Sequence, residues 1–231
     1  MRILLLSDMH GDTANIEKLA HEFAKADLVL FAGDFADVEK SISEEPSFET
    51  LLKKHECVFA VLGNNDKPEF LQKLEESDIS IEGSMVFHEG LVLAGSGGGS
   101  KFTGVTPFER TDDELVADFD IIENSAERLG DESGKINNLV AVMHNPPKDT
   151  LCDLAGKKFH VGSEKLRSFI EKRQPVLVLT GHIHESVAVD KIGETTVINP
   201  GPLAEGKYAV AELEQNNDLW KVASAQLFSL S

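Results

Sequence analysis

The sequence predicts an α/β protein in which two β-sheets lie face to face with helices on the outside. Short apolar runs such as RILLLS, DLVLFAG and CVFAVLG are continuous rather than alternating, as in strands that are covered on both faces. Segments with helical spacing separate these runs, which predicts a mostly parallel sheet built from βαβ units. From residue 186 onward, apolar runs separated by glycine turns indicate antiparallel strands.

The first third of the chain reads as three strand–helix units. The strands are predicted at 2–7, 27–33 and 57–63. Apolar residues at helical spacing predict helices at 13–26, 46–55 and 69–77. Pro68 stands at the first position of the third helix, where its missing N–H costs nothing.

The remaining two thirds contain a hairpin, two helices and further strands. SMVFHEGLVLAGSGG predicts two strands joined by a turn at Glu89 and Gly90, and residues 112–130 have the pattern of one long amphipathic helix. Buried strands at 138–144 and 175–182 flank a helix at 162–173, and antiparallel strands follow to residue 229. We find no internal repeat or long linker, so residues 1–231 are predicted to form one domain.

Composition and charge exclude several classes of protein. The formal net charge of −18 disfavours binding of nucleic-acid polymers, since lysine and arginine are scattered rather than clustered. No apolar stretch is long enough to span a membrane, and no signal peptide is evident at the N-terminus. Cys57 and Cys152 form no disulfide framework or metal-binding pair, so we expect reduced thiols in a cytoplasmic protein. The sequence leaves the oligomeric state open, a homo-oligomer included.

Polar residues follow five of the predicted strands, at the ends where open α/β sheets place their functional sites. Singly, an aspartate there could cap a helix and a histidine could be a packing residue. Together they offer the oxygen and nitrogen ligands that divalent metals bind, without a thiolate. The candidates are Asp8, His10, Asp34, Asn64, His144, His182 and His184. Seven ligands exceed what one ion takes, so a pair of ions roughly 3.5–4 Å apart is the better interpretation.

The order of these motifs, DMH, GD, GNND, H and GHIH, resembles the calcineurin-like metallophosphoesterase superfamily over about residues 2–201. HNPP, HVGSEKLRSFI, GHIHES and INPG are similar to a branch of small, single-domain, predicted prokaryotic phosphoesterases. The resemblance implies a four-layer αββα sandwich of two mixed sheets flanked by helices. It also implies hydrolysis of a phosphate ester by a metal-bridging hydroxide.

The resemblance assigns the ligands to two divalent ions, with Mn²⁺ expected first and Fe, Ni or Zn as alternatives. The first ion would be bound by Asp8, His10, Asp34 and His184. The second would be bound by Asp34, Asn64, His144 and His182. Asp34 would therefore bridge the two ions.

One position departs from the superfamily pattern. Asn65 stands where the superfamily has a histidine that protonates the leaving group or stabilises charge on the phosphoryl oxygens. An amide cannot donate a proton at neutral pH, and general acid catalysis is typically worth about 10²–10⁴-fold. Some small members of the superfamily that also lack this histidine are regarded as phosphodiesterases. Asp66 could hold Asn65 or help to cap the helix after Pro68, and the sequence does not separate these roles.

Two loops offer candidate substrate-binding or catalytic residues. The glycine-rich stretch 95–114 contains Lys101 and Arg110, which could meet a phosphate, although a mobile hairpin tip explains it equally well. In the loop after His144, His160 could replace the missing proton donor or could be structural.

These residues predict a dinuclear-metal phosphodiesterase acting on a small or nucleotide-like phosphoester. The alternatives are a phosphomonoesterase or protein phosphatase, which the absent histidine disfavours. A non-catalytic protein-binding scaffold of the same fold is a further alternative, which the intact set of metal ligands disfavours.

Overall fold

The computed structural model describes residues 1–102, 104–156, 158–217 and 219–230. Its strands are β1 (Arg2–Leu6), β2 (Leu28–Phe31), β3 (Val58–Ala60), β4 (Met85–His88), β5 (Leu91–Ser96), β6 (Gly99–Ser100), β7 (Glu109–Arg110), β8 (Leu139–Met143), β9 (Leu154–Ala155), β10 (Phe159–His160), β11 (Leu177–Leu179), β12 (Ala188–Ile192), β13 (Thr195–Asn199), β14 (Lys207–Asn216) and β15 (Leu219–Ser229). Its α-helices are α1 (Ala14–Lys18), α2 (Ala20–Phe23), α3 (Glu45–Leu52), α4 (Leu71–Glu76), α5 (Asp112–Ala117), α6 (Asp120–Leu129) and α7 (Glu164–Arg173). Short 3₁₀ turns cover Pro68–Phe70 and Leu203–Glu205.

The strands form two large mixed sheets. The first has the order β15–β14–β1–β2–β3, in which β1, β2 and β3 are parallel and the C-terminal hairpin is antiparallel. The second has the order β12–β13–β11–β8–β5–β4, in which four central strands are parallel and both edge strands are antiparallel. Two-stranded ribbons, β6–β7 and β9–β10, lie in the loops.

Side-chain alternation along the strands produces four layers. In β1, Ile3 and Leu5 belong to the core between the sheets, which includes Val140 and Val142 of β8. The alternate residues of β1 instead pack against the helices α1–α4. On the other side, the outer face of the second sheet packs against α5, α6 and α7. The αββα sandwich is thus confirmed, and burial of both strand faces explains the continuous apolar runs.

The helix predicted over 112–130 is broken into α5 and α6. The guanidinium of Arg110 binds the Asp118 carboxylate and also donates to the carbonyl of Glu114. At the junction the Phe119 backbone N–H bonds the Val116 carbonyl, three residues back, instead of the carbonyl four residues back. The ring of Phe119, at the junction, stacks on Phe169 of α7 with centroids 4.4 Å apart. A tertiary contact therefore overrides the helical pattern.

Other local predictions hold with small changes. Glu89 and Gly90 have φ values of 46° and 88° and form the turn of the β4–β5 hairpin. Residues 13–26 form two short helices, α1 and α2, separated at Leu19. Both cysteines are free thiols. Within the described part of the chain, no helix has the length and apolar character needed to cross a membrane.

Candidate metal centre

The predicted ligands follow the C-terminal ends of parallel strands from both sheets. Asp8 and His10 follow β1, Asp34 follows β2, and Asn64 follows β3. From the second sheet, His144 follows β8, and the two histidines of GHIH follow β11. Because these ends meet along one edge of the sandwich, segments far apart in the sequence contribute to one site.

The ligand atoms converge closely. His10 Nε2 lies 3.7 Å from Asp8 Oδ1 and 3.6 Å from Asp34 Oδ2. His184 Nε2 lies 3.2 Å from Asp8 Oδ1 and 3.1 Å from His10 Nε2. Within the described residues, two groups have atoms close enough to share an ion. They are Asp8, His10 and His184, and Asp8, Asp34 and His144.

The second predicted group of ligands shares Asp34 with the first. His144 Nε2 is 3.5 Å from Asp34 Oδ2 and 2.9 Å from Asn64 Oδ1. The ring of His182 is 5.2 Å from that of His144 between centroids. Imidazole nitrogens, carboxylate oxygens and an amide oxygen are the donors that borderline divalent ions bind. The residues therefore fit a pair of such ions with Asp34 between them.

Backbone carbonyls orient two of the imidazoles. His144 Nδ1 lies 2.6 Å from the carbonyl oxygen of Ala32, and His10 Nδ1 lies 3.1 Å from that of Ala36. When a carbonyl accepts the Nδ1 proton, the lone pair of Nε2 is left for a metal. Both rings are thus set with Nε2 toward the centre of the site.

The main chain of the site adopts conformations that ordinary residues avoid. Positive φ values occur at Asp8 (54°), His10 (48°), Asp34 (62°) and His182 (67°). Each such residue costs about 1–3 kcal/mol, and the surrounding fold must supply it. Gly63 allows a close approach, since a Cβ there would lie 2.0 Å from Asp34 Oδ1. The site therefore depends on this glycine.

The buried charges of the site shift the pKa values of its side chains. Burial alone would raise the pKa of Asp8, but hydrogen bonds from His10 and His184 lower it well below its usual range. Burial opposes protonation of His10, yet the Asp8 and Asp34 carboxylates raise the pKa of that imidazole to about 9. Burial and the neighbouring His144 lower the pKa of His182 to about 4. A metal cation that binds here would therefore displace protons from the site.

Asn65 and Asp66 both form hydrogen bonds with Asp34. Asn65 donates to the Asp34 carboxylate through its backbone N–H at 2.8 Å and its side-chain amide at 2.7 Å. Asp66 is fully buried and accepts the backbone N–H groups of Asp34, Ala36 and Gly63. Burial and the charge of Asp34 raise the pKa of Asp66 well above its usual range. These contacts differ from both roles expected for Asp66: it joins the Asp34 turn to the Gly63 loop.

The three remaining candidates are Lys101, Arg110 and His160. Lys101 is exposed, with Nζ 3.8 Å from a Glu114 carboxylate oxygen. Arg110 makes four hydrogen bonds, to Gly97, Glu114 and both oxygens of Asp118. Its guanidinium is thus engaged in structure, and a role in substrate binding stays a prediction that these contacts do not favour.

His160 belongs to the β9–β10 ribbon. Its Nδ1 lies 2.7 Å from an oxygen of the buried Asp153, which also accepts backbone N–H groups from Thr150 and Gly162. The pair orients the imidazole and leaves Nε2 as its other ring nitrogen. Its role as a proton donor stays a prediction.

Two positioning residues have no recognisable signal in the sequence. Glu82 is buried and accepts the backbone N–H of Leu62, two residues before Asn64, at 2.9 Å. Burial raises the pKa of this carboxyl to about 7. Glu109 accepts the backbone N–H groups of Phe102 and Gly104 and so organises the glycine-rich loop. Single glutamates are too common for either role to be deduced from the sequence.

Comparison with known proteins agrees with this geometry. The profile described as calcineurin-like phosphoesterase matches residues 1–186. An uncharacterized protein of Methanocaldococcus jannaschii is 30% identical over 221 residues, which cover 94% of each chain.

Solved structures agree with the fold. The crystal structure of a Thermus thermophilus protein superposes with a TM-score of 0.69 at 19% identity, covering 96% of this chain and 97% of that one. The structure of a dimetal phosphatase from Danio rerio gives a TM-score of 0.61 at 12% identity, covering 100% of this chain and 99% of that one.

Proposed function

Because this chain belongs to the calcineurin-like phosphoesterase family, we propose that it is a phosphodiesterase for a small or nucleotide-like phosphodiester. Two divalent ions, Mn²⁺ first among them, would be its cofactors. The formal charge of −18 argues against long nucleic acids as substrates. The two free thiols are consistent with a reducing compartment, and we place the enzyme in the cytoplasm.

The observation that carries the preference for diesters is the contact between Asn65 and Asp34. The Asn65 amide donates to Asp34 Oδ2 at 2.7 Å, so it is committed to orienting a metal ligand. An amide has no proton to give to a leaving alcohol. A monoester also carries more negative charge than a diester and gains more from a cationic histidine at this position. The asparagine therefore favours the less charged substrate class.

The residues of the site would prepare the reaction by position and charge. Asp34 Oδ2 lies 3.6 Å from His10 Nε2 and 3.5 Å from His144 Nε2, so one carboxylate oxygen is near both histidine groups. Its bridging position would hold two cations at the spacing suited to in-line displacement at phosphorus. Bound there, the ions would lower the pKa of a water molecule and neutralise charge on the phosphoryl oxygens.

Hydrolysis of bis(4-nitrophenyl) phosphate tests this function. We expect turnover that requires added Mn²⁺, Ni²⁺ or Zn²⁺ and falls by at least a hundredfold in Asp34→Asn. Asp113→Asn, which changes an exposed aspartate of α5, is the matched control and should leave the rate unchanged. Equal rates in wild type and Asp34→Asn would refute the proposal.

A second substrate separates diesters from monoesters. We expect kcat/KM for bis(4-nitrophenyl) phosphate to exceed that for 4-nitrophenyl phosphate in the same metal. The reverse order would make the protein a phosphomonoesterase. The metal content of the purified protein, measured by mass spectrometry, then identifies the resident ions.

A further inference from the structure

We propose that a cavity beside Asn64 and His182 binds an aromatic ester group of the substrate, with Phe102 as the side chain on which the ring stacks. The inference rests on the proposed function and specifies its substrate class. The cavity has a volume of about 450 Å³, and its lining includes Asn64, Phe102, Val161, His182 and Ile183. This volume is within the range of small-molecule sites.

The cavity begins at the predicted metal ligands. Asn64 and His182 both line it, so it opens next to the position where the phosphorus would lie. The β6 backbone forms the adjoining wall, since a Cβ on Gly99 would lie 3.1 Å from Asn64 and 3.2 Å from His182. A substituent on the phosphorus would therefore enter this cavity directly.

The lining is suited to an apolar ring with a polar edge. Phe102 and Val161 line the cavity from two different loops and are 93% and 41% exposed, and Ile183 completes the apolar wall. An exposed aromatic ring gains free energy when a flat ligand covers it. The hydroxyls of Ser100 and Thr106 line the same space and could bond ring heteroatoms.

The loop that carries Phe102 is held in place by Glu109. Oε2 of this carboxylate accepts the Phe102 backbone N–H at 2.8 Å and the Gly104 backbone N–H at 2.9 Å. The threonine hydroxyl at position 106 donates to Glu109 as well. The backbone that carries the Phe102 ring is therefore held in place before a ligand arrives, which lowers the entropic cost of binding.

A second cavity, beside His10 and His184, has a more highly charged lining. It has a volume of about 750 Å³ and includes the carboxylates of Asp37, Glu39 and Glu205 and the ammonium group of Lys40, which pairs with Asp37. Carboxylates favour hydroxyl-rich or cationic groups over an apolar ring. Thr106 lines both cavities and so lies at their border. The two cavities would therefore accept different ester groups of a diester. The aromatic group would enter the cavity that Phe102 lines, and the other group would enter the second cavity.

Titration calorimetry of the Mn²⁺-loaded protein tests the inference without requiring turnover. Phenyl phosphate and methyl phosphate carry the same phosphate group but differ in the ring. We expect wild type to bind phenyl phosphate at least tenfold more tightly than methyl phosphate. In Phe102→Ala the preference should shrink about tenfold, with the affinity for methyl phosphate unchanged.

Phe87→Ala provides the matched control, because Phe87 lies on β4 and is also exposed. It should leave the preference as in wild type. Equal affinities for the two ligands in wild type would overturn the inference, as would an undiminished preference in Phe102→Ala or an equal loss in Phe87→Ala. Loss of diester hydrolysis alongside an intact phenyl preference would instead refute the proposed function and leave the aromatic site standing.

Discussion

The side-chain amide of Asn65 donates a 2.7 Å hydrogen bond to Asp34, the carboxylate between the two histidine groups. Both oxygens of Asp34 are in fact held by Asn65, because its backbone N–H donates to the other oxygen. The residue at the position of the missing histidine therefore orients the proposed bridging ligand. Its amide cannot act as the acid that a histidine would supply at this position.

Asn65→His should restore that acid. We expect the variant to hydrolyse 3′,5′-cyclic AMP, which has an alkoxide leaving group, at least tenfold faster relative to bis(4-nitrophenyl) phosphate than wild type does. The aryl leaving group needs no proton, so its rate should change less. Asn124→His, at an exposed position of α6, is the control. An unchanged ratio of the two rates in Asn65→His would contradict this interpretation.

Sequence analysis could predict the strands and the convergence of the candidate ligands because both follow from local rules. Continuous apolar runs mark strands with two covered faces, and parallel strands bring their C-terminal residues to one edge. His144 and Asn64 are thus placed together, 2.9 Å apart between Nε2 and Oδ1, although 80 residues separate them.

What the sequence could not show depends on contacts between distant segments. Asp66 binds the Asp34 turn, 32 residues earlier, instead of capping the next helix. The break between α5 and α6 depends on the Arg110 guanidinium, which a helical pattern does not include. Phe102 gave no signal, because its exposure depends on how the Glu109 loop is folded.

Asp66→Asn should weaken metal binding without replacing a proposed metal ligand. The carboxylate accepts three backbone N–H groups through both oxygens, and an amide can accept through only one. We expect Mn²⁺ affinity to fall about 10–100-fold, because the Asp34 turn is held by fewer hydrogen bonds. Metal titration measures this effect. Asp131→Asn, in an exposed turn, should leave the affinity unchanged, and wild-type Mn²⁺ affinity in Asp66→Asn would refute the prediction.

Arg110→Gln distinguishes a structural arginine from a substrate-binding one. The Arg110 and Asp118 side chains are each only 15% exposed, and breaking a mostly buried pair leaves a charge without its partner. We expect the free energy of unfolding to fall by about 2–4 kcal/mol, while KM for bis(4-nitrophenyl) phosphate stays within twofold of wild type. A large rise in KM with unchanged stability would instead show that Arg110 binds substrate. Arg128→Gln, at an exposed position of α6, controls for the loss of positive charge.

Glu82→Gln should remove a pH-dependent loss of stability. Burial raises the pKa of Glu82 from an ordinary 4.5 to about 7, with Asp118 and Glu75 adding to the shift and Arg110 opposing it. The folded protein therefore keeps a proton between these pH values that the unfolded chain has released. Wild type should lose about 3 kcal/mol from this carboxyl between pH 4.5 and pH 7, at about 1.4 kcal/mol per unit.

The glutamine can still accept the Leu62 N–H through its amide oxygen and carries no charge. The free energy of unfolding in urea should therefore be compared at pH 5 and pH 8. At the lower pH, wild type and Glu82→Gln should have similar values. At the higher pH the variant should be the more stable by about 3 kcal/mol, because only wild type must bury a carboxylate. Glu49→Gln, at an exposed position of α3, should track wild type at both values. If the difference between wild type and Glu82→Gln is the same at pH 5 and pH 8, Glu82 does not titrate in this range.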